Sequence, residues 1–382
     1  MVRFRRQISG PDSTGASRRA LAECRQCTKG CLLTIDSATS ARTLRLQVEN
    51  VIEETSDAVT LVLSTSDTDR PAPFDYRPGQ FLTLEIPHEE DRSVARCYSL
   101  SSSPDCDDRP AISVKRTPGG YASNWLCDNA AVGLTLSALR PAGSFVPSRW
   151  DKPLVLVAAG SGITPVLSIL KTALAVHHER VELIYANRSA ESVMFADTLD
   201  DLVERHPTRL EVIHWLESDR GMPTATGLRN LMPSSPASDA YLCGPAVFMD
   251  LAHDALVAAG LSPDAIYREV FTSIQANPFH TSVAAPPTAT DVGTPVTAEV
   301  EGEDYTFHCP PDTVLLDAML DHGIDAPFVC REGNCGACAF TLKAGEVEMR
   351  VNDTLDTYEL GKGVRLACQS VPVSGSIDMV IE

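Results

Sequence analysis

Four cysteines near the C-terminus constrain this chain more than any other feature of its sequence. Cys330, Cys335 and Cys338 lie in the run CREGNCGAC, and Cys368 follows after 29 further residues. C-x4-C-x2-C…C is the ligand spacing of a plant-type [2Fe–2S] cluster, in which each of two irons takes two thiolates. The loop must wrap its backbone around inorganic sulfide, a path that Gly333 and Gly336 suit. Amides left free along it would aim at the sulfurs and tune the potential. The alternatives are two disulfides or a zinc site. Zinc sites favour two short C-x2-C pairs and disulfides need an oxidising compartment, so the spacing favours the cluster. A one-electron carrier then needs a source of electrons within reach.

A chain of 382 residues, 43% hydrophobic and 22% charged, has room for two or three cored domains. No apolar run reaches 18 residues, so no membrane-spanning helix is expected. Arg5-Arg6 hints at a twin-arginine signal, but no apolar stretch follows; the Arg- and Ser-rich first 22 residues also fit an organelle transit peptide. Twelve cysteines argue for a reducing compartment, and the expectation is cytoplasmic. The formal charge of −19 is uneven: residues 1–43 carry eight Lys/Arg against three Asp/Glu, and residues 295–382 carry five against sixteen, net −11. That acidic end is either a solvated surface or a field that steers a basic electron-transfer partner. No nucleic-acid partner beyond a dinucleotide is expected.

Five segments follow from the patterning. Residues 1–43 lack a period and read as a loose, disordered extension. Residues 44–150 hold short β-like runs, Leu44–Ile52, Val59–Leu63, Phe81–Ile86 and Ala111–Val114, with turn signals such as Arg77-Pro78-Gly79, and predict a small antiparallel β-barrel. In residues 151–274 the apolar runs Leu154–Ala158, Val181–Ala186, Leu210–Trp215 and Ala240–Cys243 alternate with helical stretches, the mark of a doubly wound α/β domain. Residues 275–294 read as a Pro/Ala/Thr linker. Residues 295–382 form the iron–sulfur part, α+β in the β-grasp ferredoxin manner, with strands near Val296–Val300 and Tyr305–His308 and a helix near Thr313–Asp321.

Gly160 and Gly162 stand in VAAGSGITP directly after a strand, with Pro165 early in the following helix. Such a turn aims backbone N–H groups and a helix dipole at a pyrophosphate, and the Thr164 hydroxyl is placed to donate to it. The glycine motif is incomplete, since Pro165 takes its last position.

The ordered set RCYSLSSSP (96–104), VKRTPGGYASNWL (114–126), GSGITP (160–165) and CGP (243–245) resembles the ferredoxin–NADP reductase family. With a C-terminal plant-type cluster in the same chain, it resembles the reductase components of bacterial oxygenases. SVARCYSL, GYASNWLCD, YANR, HWLES, EVF and CREGNCGACA look like the reductases of 3-ketosteroid 9α-hydroxylases. The resemblance covers roughly residues 44–382 and implies FAD as a cofactor. Arg96 is expected to neutralise its pyrophosphate in bidentate fashion, Tyr98 to stack on the isoalloxazine, and Ser99 to hydrogen-bond near the atom that receives hydride. Gly119, Gly120 and Ser123 are expected to bring amides to the flavin phosphates, with Lys115 nearby. Cys243, with Gly244 and Pro245, is expected beside the nicotinamide–flavin contact, and Glu269 and Phe271 at the closing edge of the flavin site.

The coenzyme is less determined. No carboxylate ends the second strand of the dinucleotide domain to hold a ribose 2′-OH, and Arg188 there would pair with a 2′-phosphate, which points to NADPH. The YANR stretch and the resemblance point to NADH, with Glu191 reaching the ribose. The reading leans to NADH. Cys24, Cys27 and Cys31 form C-x2-C-x3-C, short of a four-ligand metal set.

The expected activity is electron transfer from NAD(P)H through FAD and the [2Fe–2S] cluster to a Rieske-type oxygenase. Plant-type clusters lie near about −400 mV, low enough to reduce a Rieske centre downhill. Rival readings are a reductase for an aromatic-ring or phenylacetyl-CoA oxygenase, and a redox sensor without turnover.

Overall fold

The computed structural model describes residues 43–65, 75–90, 92–232, 237–271, 273–274, 277–279, 292–300, 302–355 and 357–381. Cys24, Cys27, Cys31 and the expected disordered extension lie outside them, as does most of the expected linker.

The first part is an antiparallel sheet of six strands: β1 (Thr43–Thr55), β2 (Ala58–Thr65), β3 (Phe81–His88), β4 (Arg92–Ser99), β5 (Ala111–Lys115) and, after helix α1 (Tyr121–Asn129), β6 (Thr135–Leu139). They lie in the order β4-β3-β6-β1-β2-β5. Leu100, just past β4, bridges to Ile112 of β5, so the two edges meet and the sheet closes into a barrel. Alternation sends Leu46, Val48, Leu61, Leu63, Leu82, Leu84 and Ile86 into the core, all fully buried.

The second part carries β7 (Leu154–Ala159), α2 (Ile163–Val176), β8 (Val181–Asn187), α3 (Ala196–Arg205), β9 (Leu210–Leu216), α4 (Glu217–Arg220), α5 (Ala225–Arg229), β10 (Asp239–Cys243), α6 (Ala246–Ala258) and β11 (Ile266–Glu269). Its five strands are parallel in the order β11-β10-β7-β8-β9. The continuous apolar runs are accounted for by two separate cores. One holds α2 and α3 against Leu154, Leu156, Leu183 and Tyr241; the other holds α6 against Val155, Val157, Ile184 and Leu242. Adjacent residues of a strand therefore face opposite helix layers, as a doubly wound sheet requires.

The third part has β12 (Thr294–Val300), β13 (Glu303–Cys309), α7 (Leu315–Asp321), β14 (Ala339–Ala344), β15 (Val347–Met349), α8 (Thr357–Gly361), β16 (Val364–Leu366), β17 (Ser370–Pro372) and β18 (Ile377–Ile381). The mixed sheet runs β13-β12-β18-β14-β16, with α7 packed over it through Leu315, Leu316 and Met319. The cluster run occupies the loop between α7 and β14. Among the described residues, no helix is long and apolar enough to cross a membrane.

Candidate flavin, nucleotide and iron–sulfur sites

Arg331 (φ 62°), Gly333 (φ 84°) and Gly336 (φ 70°) all take left-handed backbone in the cysteine loop. At Gly333 a Cβ would come within 2.9 Å of the Val351 carbonyl oxygen, so the glycine serves close approach as well as φ. Among the described residues no three metal-ligating side chains converge for a single ion. The four thiols stand as two mutually perturbing couples, Cys330 with Cys335 and Cys338 with Cys368. Two couples suit two irons with two thiolates each. The donor set fits as well. The Glu332 amide donates to Cys330 Sγ at 3.3 Å, the Cys368 amide to Cys338 Sγ at 3.5 Å, and Gln369 Nε2 to Cys368 Sγ at 3.7 Å. The Cys335 partner, and then the amides of Glu332, Asn334 and Cys335, hold the Cys330 thiol well below its usual value.

Strand β4 is the hinge of the site. Its sequence alternates, so Arg96 and Tyr98 share one face and Ala95 and Cys97 the other. Tyr98 packs with Trp125 and Cys127 of α1 against the barrel core. Arg96 donates to the Ala95 carbonyl at 2.7 Å. Ser99 ends the strand, buried. On the opposite face Ala95 and Cys97 join Phe81, Leu139, Ala142, Ile274 and Phe279 in an apolar patch that includes Val329, Cys335 and Ala337 of the cluster loop. A single strand of backbone thus separates the expected flavin residues from a cluster ligand. The Cys97 thiol is pushed up to about 12 by burial and feels both Glu269 and Cys330. Sequence reading passed over Cys97, because it fills the variable position of the R-x-Y-S motif.

The expected phosphate cradles are built from glycine. Gly119 (φ 72°) has open space where its Cβ would stand, and Ser123 Oγ accepts from the Thr117 amide at 3.0 Å, closing the turn before α1. Gly160 (φ 54°) also faces open space. A Cβ on Gly162 would stand 2.1 Å from the Cys243 carbonyl oxygen, and one on Gly244 3.0 Å from Ala159 Cβ. These contacts bring the ends of β7 and β10 together, with Pro245 capping α6. Tyr185 supports the turn from below, donating to the Gly160 carbonyl at 3.1 Å. The Asn187 side chain at the end of β8 is buried beside the Tyr185 hydroxyl. Open glycine turns at the strand ends fit a bound dinucleotide.

Thr164 is 2% exposed and its hydroxyl donates to the Ser161 carbonyl at 3.1 Å, closing the turn that opens α2. The helix starts at Ile163, which turns the Thr164 side chain back onto the turn; Pro165 is buried beside it. Glu191 hydrogen-bonds to Ser189, which holds its carboxyl below the usual range. Lys115 Nζ is engaged by Asp57 at 2.9 Å, and Arg188 Nη2 reaches the same carboxylate at 3.4 Å. Asp57, in the β1–β2 turn, was invisible to sequence reading.

Cys243 is fully buried at the end of β10, and burial raises its thiol well above the usual value. In the next strand, β11, Glu269 pairs in register with Cys243. Burial holds the Glu269 carboxyl up at about 8. Phe271 follows two residues after β11, 51% exposed.

Family profiles match this chain in three stretches: residues 45–146 as an oxidoreductase FAD-binding domain, 156–254 as an oxidoreductase NAD-binding domain, and 298–373 as a 2Fe-2S iron–sulfur cluster binding domain. The 3-ketosteroid-9-alpha-monooxygenase ferredoxin reductase component of Mycolicibacterium smegmatis is 48% identical over 91% of this chain and 99% of its own. The chain belongs to this family of oxygenase ferredoxin reductases. It is an oxidoreductase that takes electrons from NAD(P)H through FAD and a [2Fe–2S] cluster to an oxygenase component. One component of the 1,2-phenylacetyl-CoA epoxidase of Escherichia coli is 33% identical over 87% of this chain and 96% of its own. Phthalate dioxygenase reductase, at 24% identity and a TM-score of 0.53, covers 89% of this chain and 98% of its own, and shares the three-part fold.

Proposed function

We propose that the reductase uses NADH and serves a Rieske-type oxygenase that hydroxylates 3-ketosteroids at C9, in the cytoplasm. Strand β4 supports the electron relay within this reading, with Arg96 and Tyr98 on one face and Cys97 against the cluster loop on the other. FAD held there would supply the chemistry that turns a two-electron hydride donor into a one-electron output to the cluster. The chain's own residues bind, orient and keep the site dry. Arg96 offers its remaining guanidinium donors to the pyrophosphate, and Tyr98 presents its ring to the isoalloxazine. Gly119 and Gly120 let amides approach the flavin phosphates, and Gly160 and Gly162 do the same for the nucleotide. Ser99, Cys243 and Glu269 surround the point of hydride arrival, with Glu269 holding its proton below about pH 8. Phe271 covers the flavin until the nicotinamide displaces it. Segments 44–150, 151–274 and 295–382 serve as the three working domains.

The steroid assignment is supported by the identity of 48% to a reductase named for a 3-ketosteroid system against 33% to one named for phenylacetyl-CoA. Thiol-rich composition supports a reducing compartment. The test is reconstitution: the purified reductase, NADH, the Rieske oxygenase of a 3-ketosteroid 9α-monooxygenase and a 3-ketosteroid. Formation of 9α-hydroxylated product coupled to NADH oxidation is expected. Rapid cytochrome c reduction without any transfer to that oxygenase would overturn the assignment while leaving a working reductase.

A further inference from the structure

A doubly wound nucleotide domain ordinarily takes the acidic group that holds the adenosine ribose from the end of its second strand. Here β8 ends in Asn187, with Arg188 next, and neither is acidic. A carboxylate nevertheless arrives at that place from the neighbouring barrel. Asp57, in the turn joining β1 to β2, is pinned there: its carbonyl accepts from the Arg116 amide at 2.7 Å and its Oδ1 accepts from Thr55 Oγ1 at 2.7 Å. Lys115 Nζ donates to Oδ1 at 2.9 Å, and Arg188 Nη2 approaches Oδ2 at 3.4 Å.

These groups line one cleft of about 530 Å³, with Arg116, Thr117, Pro118, Gly119, Asn124 and Ser161. Ser161 belongs to the glycine turn that opens α2, so the cleft joins the expected pyrophosphate position to Arg188. Its charges are largely committed. Lys115, only 12% exposed, lies against Asp57, and Arg116 is held by Asp128 at 2.7 Å. Arg188, 72% exposed, is the cation available to a 2′-substituent, and Asp57 sits on it. A 2′-phosphate placed on Arg188 would displace that carboxylate and remain beside it as a like charge, which is unfavourable. A neutral ribose 2′-OH meets no such penalty and can donate to the carboxylate.

We propose that Asp57 selects the coenzyme, excluding the 2′-phosphate from Arg188 and accepting the ribose hydroxyl in its place. The selector comes from the flavin-binding barrel, so discrimination depends on how the two domains meet. It rests on the reading that the Ser161–Arg188 side of this cleft holds the adenosine end of NADH, the Gly119 turn on the other side being left to the flavin phosphates.

The test uses the holoenzyme, with flavin content and visible cluster absorption as the check on folding. Dissociation constants for NAD+ and NADP+ are measured by calorimetry, and kcat/KM for NADH and NADPH with ferricyanide as acceptor. In Asp57→Asn both ratios should move toward the phosphorylated coenzyme by about tenfold, about 1.4 kcal/mol. In Asp57→Asn/Arg188→Ala that gain should vanish. A ratio within about twofold of the parent in the single variant, under 0.5 kcal/mol, overturns the proposal, as does a gain that survives loss of Arg188. A parent enzyme that prefers NADPH overturns the NADH reading alone, and the change of ratio in Asp57→Asn still decides the role of Asp57.

Discussion

The barrel meets its two neighbours in different ways. Against the nucleotide domain it is stitched by buried polar groups. Ser103 and Thr172 share a hydroxyl hydrogen bond of 2.7 Å, Ser168 donates to the Ser102 carbonyl at 2.5 Å, Lys171 pairs with Asp107 at 3.0 Å, and the Phe195 amide donates to Glu54 at 3.1 Å. Phe145 of the barrel side is built into the same core as α2. Against the iron–sulfur domain the contact is a small dry patch around Cys97 and Cys335, with the Ser144–Thr354 hydroxyl pair at 2.6 Å. Beside it lies a cleft of about 620 Å³, lined by Arg77, Arg140 and Ser148 on one side and Pro327, Phe328 and Thr341 on the other. Buried satisfied polar networks fix geometry and are costly to break, whereas a small apolar contact flanked by a cleft holds less firmly. The first interface suits a hydride step that needs two rings in register. The second suits single electrons, which need proximity without a fixed pose.

Loss of a cluster ligand separates the two halves most sharply. Cys335→Ser should abolish the visible cluster absorption while FAD stays bound. NADH–ferricyanide turnover should persist, because that acceptor draws on flavin directly, and cytochrome c reduction should fall to near background. A variant that keeps its cluster spectrum shows the ligand assignment to be wrong.

A wedge in the dry interface comes next. Gly336 packs where a Cβ would meet Ser144 Cβ at 3.1 Å, so the cluster loop lies directly on that residue. A bulky side chain there would push the loop away and lengthen the path between flavin and cluster. Ser144→Trp is therefore expected to slow flavin-to-cluster transfer, with hydride transfer from NADH unchanged in stopped-flow absorbance. Equal slowing of both steps would mean that the two interfaces are not independent.

What the sequence made legible follows the same division. The expected cluster ligands are read from a spacing that iron geometry sets, so four cysteines suffice to predict them. Arg96 and Tyr98 are legible as a short motif. Strand β4 itself was not: RSVARCYS mixes charged and polar residues and becomes a strand by pairing with β3 along its whole length. Helix α1 was hidden too, since Gly120 precedes it with no side-chain cap. Cys97 and Asp57 gain their meaning from partners far along the chain, Cys335 and Arg188. No local pattern encodes which face of a strand, or which turn, meets another domain. The turn contact of Thr164 was hidden for a smaller reason: a motif does not show that a hydroxyl at a helix start also bonds to its own turn.

The nucleotide side should also carry a titration. Glu269 is held at about 8 in the fold against an ordinary 4.5. Between those values the folded chain keeps a proton that the unfolded chain has lost, so stability tied to Glu269 is intact below about pH 4.5 and is lost as pH rises through 8. Glu269→Gln should therefore match the parent's melting temperature in acid and exceed it by several degrees in alkali. A constant difference across the range would show that Glu269 does not titrate in a dry site.

The smallest effect concerns the face that meets the oxygenase. Residues 295–382 carry a net −11, in contrast to the committed, locally paired charges of the nucleotide cleft. Transfer between proteins needs brief contact, and long-range attraction raises the encounter rate without tight binding. The Debye length falls from about 10 Å at 0.1 M salt to about 3 Å at 1 M, so this steering should fade over that range. Transfer to the oxygenase component is expected to slow by about threefold, a modest effect because surface fields are already partly screened at 0.1 M. Hydride transfer in the same buffers is the control, since its geometry is set by the stitched interface. Salt-independence of the inter-protein step, or a response confined to the hydride step, would make the acidic surface a solvated face only. Docking would then rest on apolar contacts around the cluster loop, where Val351, 40% exposed, packs beside Gly333.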